Sequence, residues 1–249
     1  MKSLFLIFLL GLTSFNVHAN ENSWTGFYLG GNLGYAKADS DSKVTLGGDW
    51  SGESQALQEF IINNSQDKHN PNGTSLGFQV GYDYQLSNKF VIGLELDYNK
   101  LNLDESRQTP LLDGPIDFAF SNKVEVNHSF SLRPKFGYAF DKTQLYVTAG
   151  YAWTSAEFSS DVISEFGYSK AGKKSKTLTS SIWGIGVEHK FFENVSAKLE
   201  YLKINGDDTS YTAEYRPGSN FAPPADFYSE RFKVDLDYDV IRAGINYRF

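Results

Sequence analysis

"NKVEVNHSFSLRPKFGYAF", residues 122–140, alternates one residue at a time. Val124, Val126, Phe130, Leu132, Phe136, Tyr138 and Phe140 hold even positions, whereas Lys123, Glu125, Asn127, Ser129, Ser131, Arg133 and Lys135 hold odd ones. A period of two belongs to a β-strand with two unlike faces. The pattern recurs in "SLGFQVGYDYQL", where Leu76, Phe78, Val80, Tyr82 and Tyr84 oppose Ser75, Gly77, Gln79, Gly81 and Asp83. It recurs again in "FVIGLELDYN", where Phe90, Ile92, Leu94, Leu96 and Tyr98 oppose Gly93, Glu95, Asp97 and Asn99.

Eight such segments are expected, at roughly 27–38, 74–85, 90–103, 123–140, 144–158, 177–191, 195–205 and 232–249. Short connections, "SNK" (87–89), "DKT" (141–143) and "EN" (193–194), alternate with long ones at roughly 39–73, 104–122, 159–176 and 206–231. The long ones carry Pro71, Pro110, Pro115, Pro217, Pro223 and Pro224. Tight turns at one rim and long loops at the other describe an all-β, eight-stranded, antiparallel up-and-down barrel.

Alternation fits equally a soluble barrel with a solvated outer face and a membrane barrel with an apolar one. Four features favour the membrane. "MKSLFLIFLLGLTSFNVHA" has the charge, short apolar run (Leu4–Leu12) and Ala19 ending of a cleaved signal peptide. Its apolar run is shorter than the roughly 20 residues a spanning helix needs. The expected organisation is therefore residues 1–19 as signal and 20–249 as barrel. Several strands also reach the roughly 9 to 11 residues that cross a tilted bilayer. Trp24, Phe27, Tyr28, Tyr84, Phe90, Phe140, Tyr146, Phe191 and Phe192 cluster near strand ends, as an interfacial aromatic girdle would. Finally, the polar face mixes glycines with ions of both signs, which suits a narrow lumen. Glu95, Asp97, Glu125, Arg133, Lys135, Glu188, Lys198, Glu200 and Arg242 are the expected lumen ion pairs. This architecture predicts short periplasmic turns and four long extracellular loops.

On the last segment Ile241, Ala243, Ile245, Tyr247 and Phe249 share one face, with Arg242, Gly244, Asn246 and Arg248 on the other. A terminal aromatic on such a strand resembles the recognition signal read by the outer-membrane barrel assembly machinery. Upstream, Phe232, Val234, Leu236 and Tyr238 put the apolar residues on even numbers instead. That change at Val240–Ile241 predicts either a β-bulge or an upper part projecting beyond the lipid. "SWTGFYLGGNLGYA" (23–36), "GIGVEHKFFENVSAKLEYLKI" (184–204) and "GINYRF" (244–249) resemble porin-family outer-membrane proteins of the OmpA-like β-barrel superfamily. That group includes small immunogenic surface proteins and some hemin-binding members. The resemblance implies the cell outer membrane as location and its lipid, lipopolysaccharide and assembly machinery as partners.

Loss of Lys2 from the 23 Lys+Arg leaves 22 against 30 Asp+Glu, an acidic balance that disfavours nucleic acid, which calls for a basic face. There is no cysteine for a disulfide. Catalysis finds no constellation: His128 and Ser129 are neighbours, but alternation sends them to opposite faces. No enzyme activity, cofactor or metal is expected, and His189 is expected at the membrane interface. Lys170, Lys173, Lys174 and Lys176 could meet lipopolysaccharide phosphates or be a solvated run. Phe60, Ile61, Tyr215, Phe221 and Phe227 could capture a host or surface ligand or pack the loops on each other. The expected role is structural, with surface interaction through the loops. The alternatives are a narrow porin for small solutes and a hemin-binding surface protein using His69.

Overall fold

The computed structural model describes residues 23–112, 116–220 and 228–249. The expected signal peptide and the loop residues Phe221 and Phe227 lie outside the described residues. The elements are β1 (Gly26–Gly48), α1 (Gln55–Ser65), β2 (Asp67–His69), β3 (Asn72–Gln85), β4 (Phe90–Leu112) and β5 (Phe118–Phe140). They continue with β6 (Thr143–Ser164), β7 (Ser169–Lys190), β8 (Val195–Gly206), β9 (Thr209–Thr212), β10 (Glu214–Tyr215), β11 (Tyr228–Val234) and β12 (Asp237–Arg248).

Eight strands form a closed antiparallel ring, β1-β3-β4-β5-β6-β7-β8-β12 and back to β1. The closing pair runs in register from Tyr28↔Arg248 to Asp39↔Asp237. Closure removes every unpaired edge along that length. The remaining strands extend the wall at the long-loop end: β2 and β11 pair with the upper part of β1, β9 with β11, and β10 with β7. Several strands run further than the alternation predicts: β4 reaches Leu112 and β5 begins at Phe118, so most of the expected loop 104–122 is a tall hairpin. The helix α1 is capped by Ser54, whose hydroxyl accepts from Leu57 N at 3.3 Å, and it buries Leu57 and Ile61 at the top of the barrel.

The barrel has two storeys of opposite polarity. In the lower one the exposed wall is apolar, across nine residues on three strands (27–35, 76–84, 241–249) and eleven on β5 (130–140). At about 3.3 Å per residue and a tilt of about 40°, nine residues rise about 23 Å, the height of an outer-membrane apolar band. In the upper storey the apolar residues point inward: Ala36, Leu101, Val126, Phe158, Leu178, Ile204, Phe232 and Tyr238 form a buried cluster. A second cluster caps it with Trp50, Ile61, Phe118, Phe120, Val162 and Tyr168.

Of the two alternatives expected at Val240–Ile241, the bulge is absent. β12 keeps unbroken register with β8 from Asp237↔Asn205 to Tyr247↔Val195, and its even-numbered side chains stay inside from Tyr238 to Arg248. Chemistry changes along that face because the surroundings of the wall change, while the phase does not. The bulge sits in β5 instead, where its register shifts against β6 between Val126 and His128. Even residues point in above the shift and odd residues point in below it. One continuous alternation in sequence therefore serves two interiors. Glu125, expected in the lumen, is corrected to the outer face, where it pairs with Lys123. Trp24, Tyr28 and Tyr146, expected in the outer girdle, are buried inside, because each falls on the inward phase.

Candidate functional site

The inward phase of the lower storey brings ions from six strands, β3, β4, β5, β7, β8 and β12, together in two tiers. In the upper tier Arg133 of β5 reaches Glu200 of β8 through Nη1 at 3.1 Å and Asp97 of β4 through Nη2 at 2.7 Å, and also pairs with Glu95. Arg242 of β12 donates through Nε to Glu200 Oε2 at 2.7 Å and lies 3.3 Å from Asp97. Lys198 Nζ holds Glu95 at 2.8 Å. Three cations thus meet three carboxylates. The hydroxyls of Tyr28 and Tyr146 donate to Glu95 and Glu200, at 2.8 and 3.1 Å.

The tier below joins Lys135 to Asp83 at 2.9 Å and to Glu188 at 3.8 Å, and Arg248 to the same two acids at 2.9 and 3.9 Å. Lys135 also stands between the rings of Tyr28 and Tyr146, 4.9 and 5.0 Å from their centroids. An amide chain fills the remaining section: Asn32 donates to Gln79, Gln79 to Asn246, and Asn246 to Glu188. Burying so many ions is tolerable only when the charges balance, as they do here, three against three above and two against two below. Above Arg242 a cavity of about 20 Å³ is lined by Asp97, Asn99, Ser129 and Tyr238, room for about one water.

Eight of the nine expected interior ions fall in this network, and Glu125 does not. Sequence reasoning missed Asp83, Arg248, Tyr28 and Tyr146 as members. The same alternation carried Asp83 and Arg248, whose phase already placed them with Gln79 and Arg242.

The expected lysine run divides. Lys170 is corrected from the surface to the interior, where its Nζ meets Glu230 at 2.6 Å and lies 4.6 Å from the Tyr215 ring. Glu230 also accepts from Trp50 Nε1 at 2.9 Å and bonds the Tyr168 hydroxyl. Burial and the Glu230 carboxylate push the Tyr168 phenol well above its usual range. An inward phase and a buried acid explain the position of Lys170. Lys173 pairs with Glu157 on the outer face, and Lys174 and Lys176 are exposed. Of the loop apolar residues, Ile61 is buried and Phe60 packs beside Phe118 and Phe120.

His69 on β2 is buried, with Nε2 3.5 Å from Asp67 and Nδ1 4.0 Å from Glu105. His128 stacks outward on Tyr98 while Ser129 turns inward to Thr154. His189 meets Thr143 at 2.8 Å beside Phe191. Among the described residues no group of three or more His, Asp or Glu is arranged to hold a metal ion. On β12, Ile241, Ala243, Ile245 and Tyr247 are exposed on the outward face, and Phe249, just past its end, is exposed as well.

Residues 6–249 match the model of the outer membrane protein beta-barrel domain. The 31 kDa outer-membrane immunogenic proteins of Brucella melitensis and Brucella suis are 24% identical over 236 residues, covering 91% of this chain and 84% of theirs. Among solved structures, the outer membrane protein OprG from Pseudomonas aeruginosa aligns at a TM-score of 0.47 and 15% identity, over 92% of this chain and 98% of that one. Neisserial surface protein A aligns at 0.43 and 13%, over 90% and 98%.

Proposed function

The chain belongs to the outer membrane protein beta-barrel domain family and resides in the outer membrane; from that premise we propose that it is a closed, non-catalytic, eight-stranded barrel with a structural and surface-interaction role. The short turns at 86–89, 141–142 and 191–194 face the periplasm, and the upper storey stands outside the cell. The single observation that carries this reading is the reversal of interior polarity between storeys. An apolar exterior with an ionic interior suits lipid, whereas a polar exterior with an apolar interior suits water. The upper storey is thus an extracellular core of its own, which displays loops on a rigid support.

A narrow porin is the less favoured reading, because two balanced ionic tiers and the apolar cluster occupy the section through which solute would pass. Hemin capture through His69 is less favoured still, since both of its ring nitrogens are buried between acids. The outward face of β12, Ile241, Ala243, Ile245, Tyr247 and Phe249, is proposed as the contact for the assembly machinery. Purified chain in a planar bilayer tests the main reading. Absence of conductance steps is the expected result, and large reproducible steps at neutral pH would overturn it.

A further inference from the structure

Above Ser180, where β7 leaves its pairing with β8 at Gly206, the barrel wall parts. Residues 172–179 of β7 keep β6 on one edge and, among the described residues, have no strand partner on the other until β10 joins at Ala171 and Lys170. Across the gap stands β9, which pairs only with β11 on its far side. At the top, Tyr211 of β9 closes against Gly172, where a Cβ would lie 2.7 Å from its ring. Between these limits lies a lateral cleft of about 750 Å³, lined among others by Lys174, Lys176, Arg231, Lys233, Ser210 and Asp208.

The charge of this cleft runs against that of the chain, which is −7 overall. Asp208 pairs with Lys233, and Asp235, two residues on, accepts the backbone N–H of Asp41 at 2.8 Å. Among the described residues, Lys174, Lys176 and Arg231 have no ion pair; Arg231 reaches only the Ser210 hydroxyl, at 3.2 Å. Lysines on an open strand edge can serve merely to block pairing with another chain. That accounts for Lys174 and Lys176, but not for Arg231 and Lys233, which sit on a strand paired on both sides. Lys43 moreover stands directly opposite Lys233. Like charges so placed repel, and the single Asp208 carboxylate is paired with Lys233 alone.

The position indicates the kind of anion. Tyr211 against Gly172 bounds the upper end of the cleft, and its cations Lys174, Lys176, Arg231 and Lys233 are all exposed. On β6 the outward aromatics end at Trp153, opposite Thr179 of β7, and Lys176 lies three residues higher, about 10 Å along the strand. That is the level of the sugars and phosphates just above a lipid leaflet. We propose that this cleft binds the phosphate groups of the glycolipid surrounding the barrel, seating a phosphorylated sugar between β7 and β9. The proposal rests on the membrane placement given above. Lys174, Lys176 and Arg231 supply the charge, and Ser210 supplies a hydroxyl.

The full chain, purified in detergent, is titrated with lipopolysaccharide, with the same lipopolysaccharide after chemical dephosphorylation, and with a soluble sulfated polysaccharide. The triple variant Lys174→Gln, Lys176→Gln, Arg231→Gln is compared with Lys203→Gln, a lysine of β8 that pairs with Asp239 away from the cleft. Removing the phosphates, or the three cations, is expected to weaken binding by about tenfold or more, less so at high salt, while Lys203→Gln changes nothing. Equal binding of the dephosphorylated form, or an unaffected triple variant, overturns the proposal. Preference for the sulfated polysaccharide, lost in the triple variant, overturns the glycolipid assignment in favour of a soluble polyanion. Membrane fractionation of each variant separates the two levels. A chain absent from the outer membrane defeats the placement, whereas a correctly placed chain whose variant binds unchanged defeats only the cleft.

Discussion

Arg242 and Glu200 stand directly opposite each other in the β12–β8 register, and the guanidinium Nε donates to the carboxylate at 2.7 Å in the centre of the barrel. Both are fully surrounded by protein, so neither charge can recover water when its partner is lost. Arg242→Ala is expected to cost about 3 to 5 kcal/mol, measured by urea unfolding in detergent. Replacing both, with Arg242→Met and Glu200→Leu, keeps the tier neutral and should cost clearly less. A double variant as unstable as the single one would show that charge balance is not what holds this tier.

Two glycines make room for the interior tyrosines. A Cβ at Gly186 would lie 2.3 Å from Tyr146 Cζ, and one at Gly81 would lie 2.4 Å from Tyr28 Cζ. Gly186→Ala should therefore tip Tyr146 away from Glu200, at about 1 to 3 kcal/mol. Adding Tyr146→Leu to the same chain should recover most of that loss, because the smaller side chain leaves the space the methyl needs.

Leu94 lies midway along the exposed apolar stretch of β4, and Asn102 lies on the same face in the upper storey. Leu94→Arg is expected to destabilise the barrel in lipid by about 2 to 4 kcal/mol. Asn102→Arg should stay within about 0.5 kcal/mol. Similar losses at both sites, from unfolding in vesicles, would contradict the division into two storeys.

Burial holds the His69 imidazole below its usual pKa, and Arg107 adds to this, although Asp67 and Glu105 pull the other way. A lowered folded pKa means the unfolded segment takes up the proton first as pH falls. Docking of β2 should therefore be insensitive to pH above about 7 and weaken as pH drops below about 6.5 toward the folded value. Hydrogen-exchange protection of the β2 amides at pH 7.5 and 5.5 measures this. His69→Gln should remove the difference between the two.

Phe249 and Tyr247 face outward with their rings 5.1 Å apart. Phe249→Ala should lower the amount of heat-modifiable barrel recovered from the outer-membrane fraction without changing the stability of the chain that does assemble. An undiminished yield would remove the assembly role from this residue.

Periodicity and turn spacing suffice for the ring. Alternation from Leu76 to Tyr84, the tight turns at 87–89 and 193–194, and the long intervals between other strands were enough for eight antiparallel segments. Eight of the interior ions could be named from phase alone. Tertiary structure decided which storey each alternating face belongs to. A period of two says that Val124 and Phe130 share a side of an ideal strand, yet the shift at Val126–His128 puts one in a protein core and the other on the outer wall. Conversely, Val240 and Arg242 share the inside although their chemistry is opposite. The reason is that burial is set by what lies across the barrel and beyond the wall. Lys170 illustrates it: within a run of four lysines its neighbours look alike, and only Glu230, sixty residues further on, makes the interior the lower-energy place for that one charge.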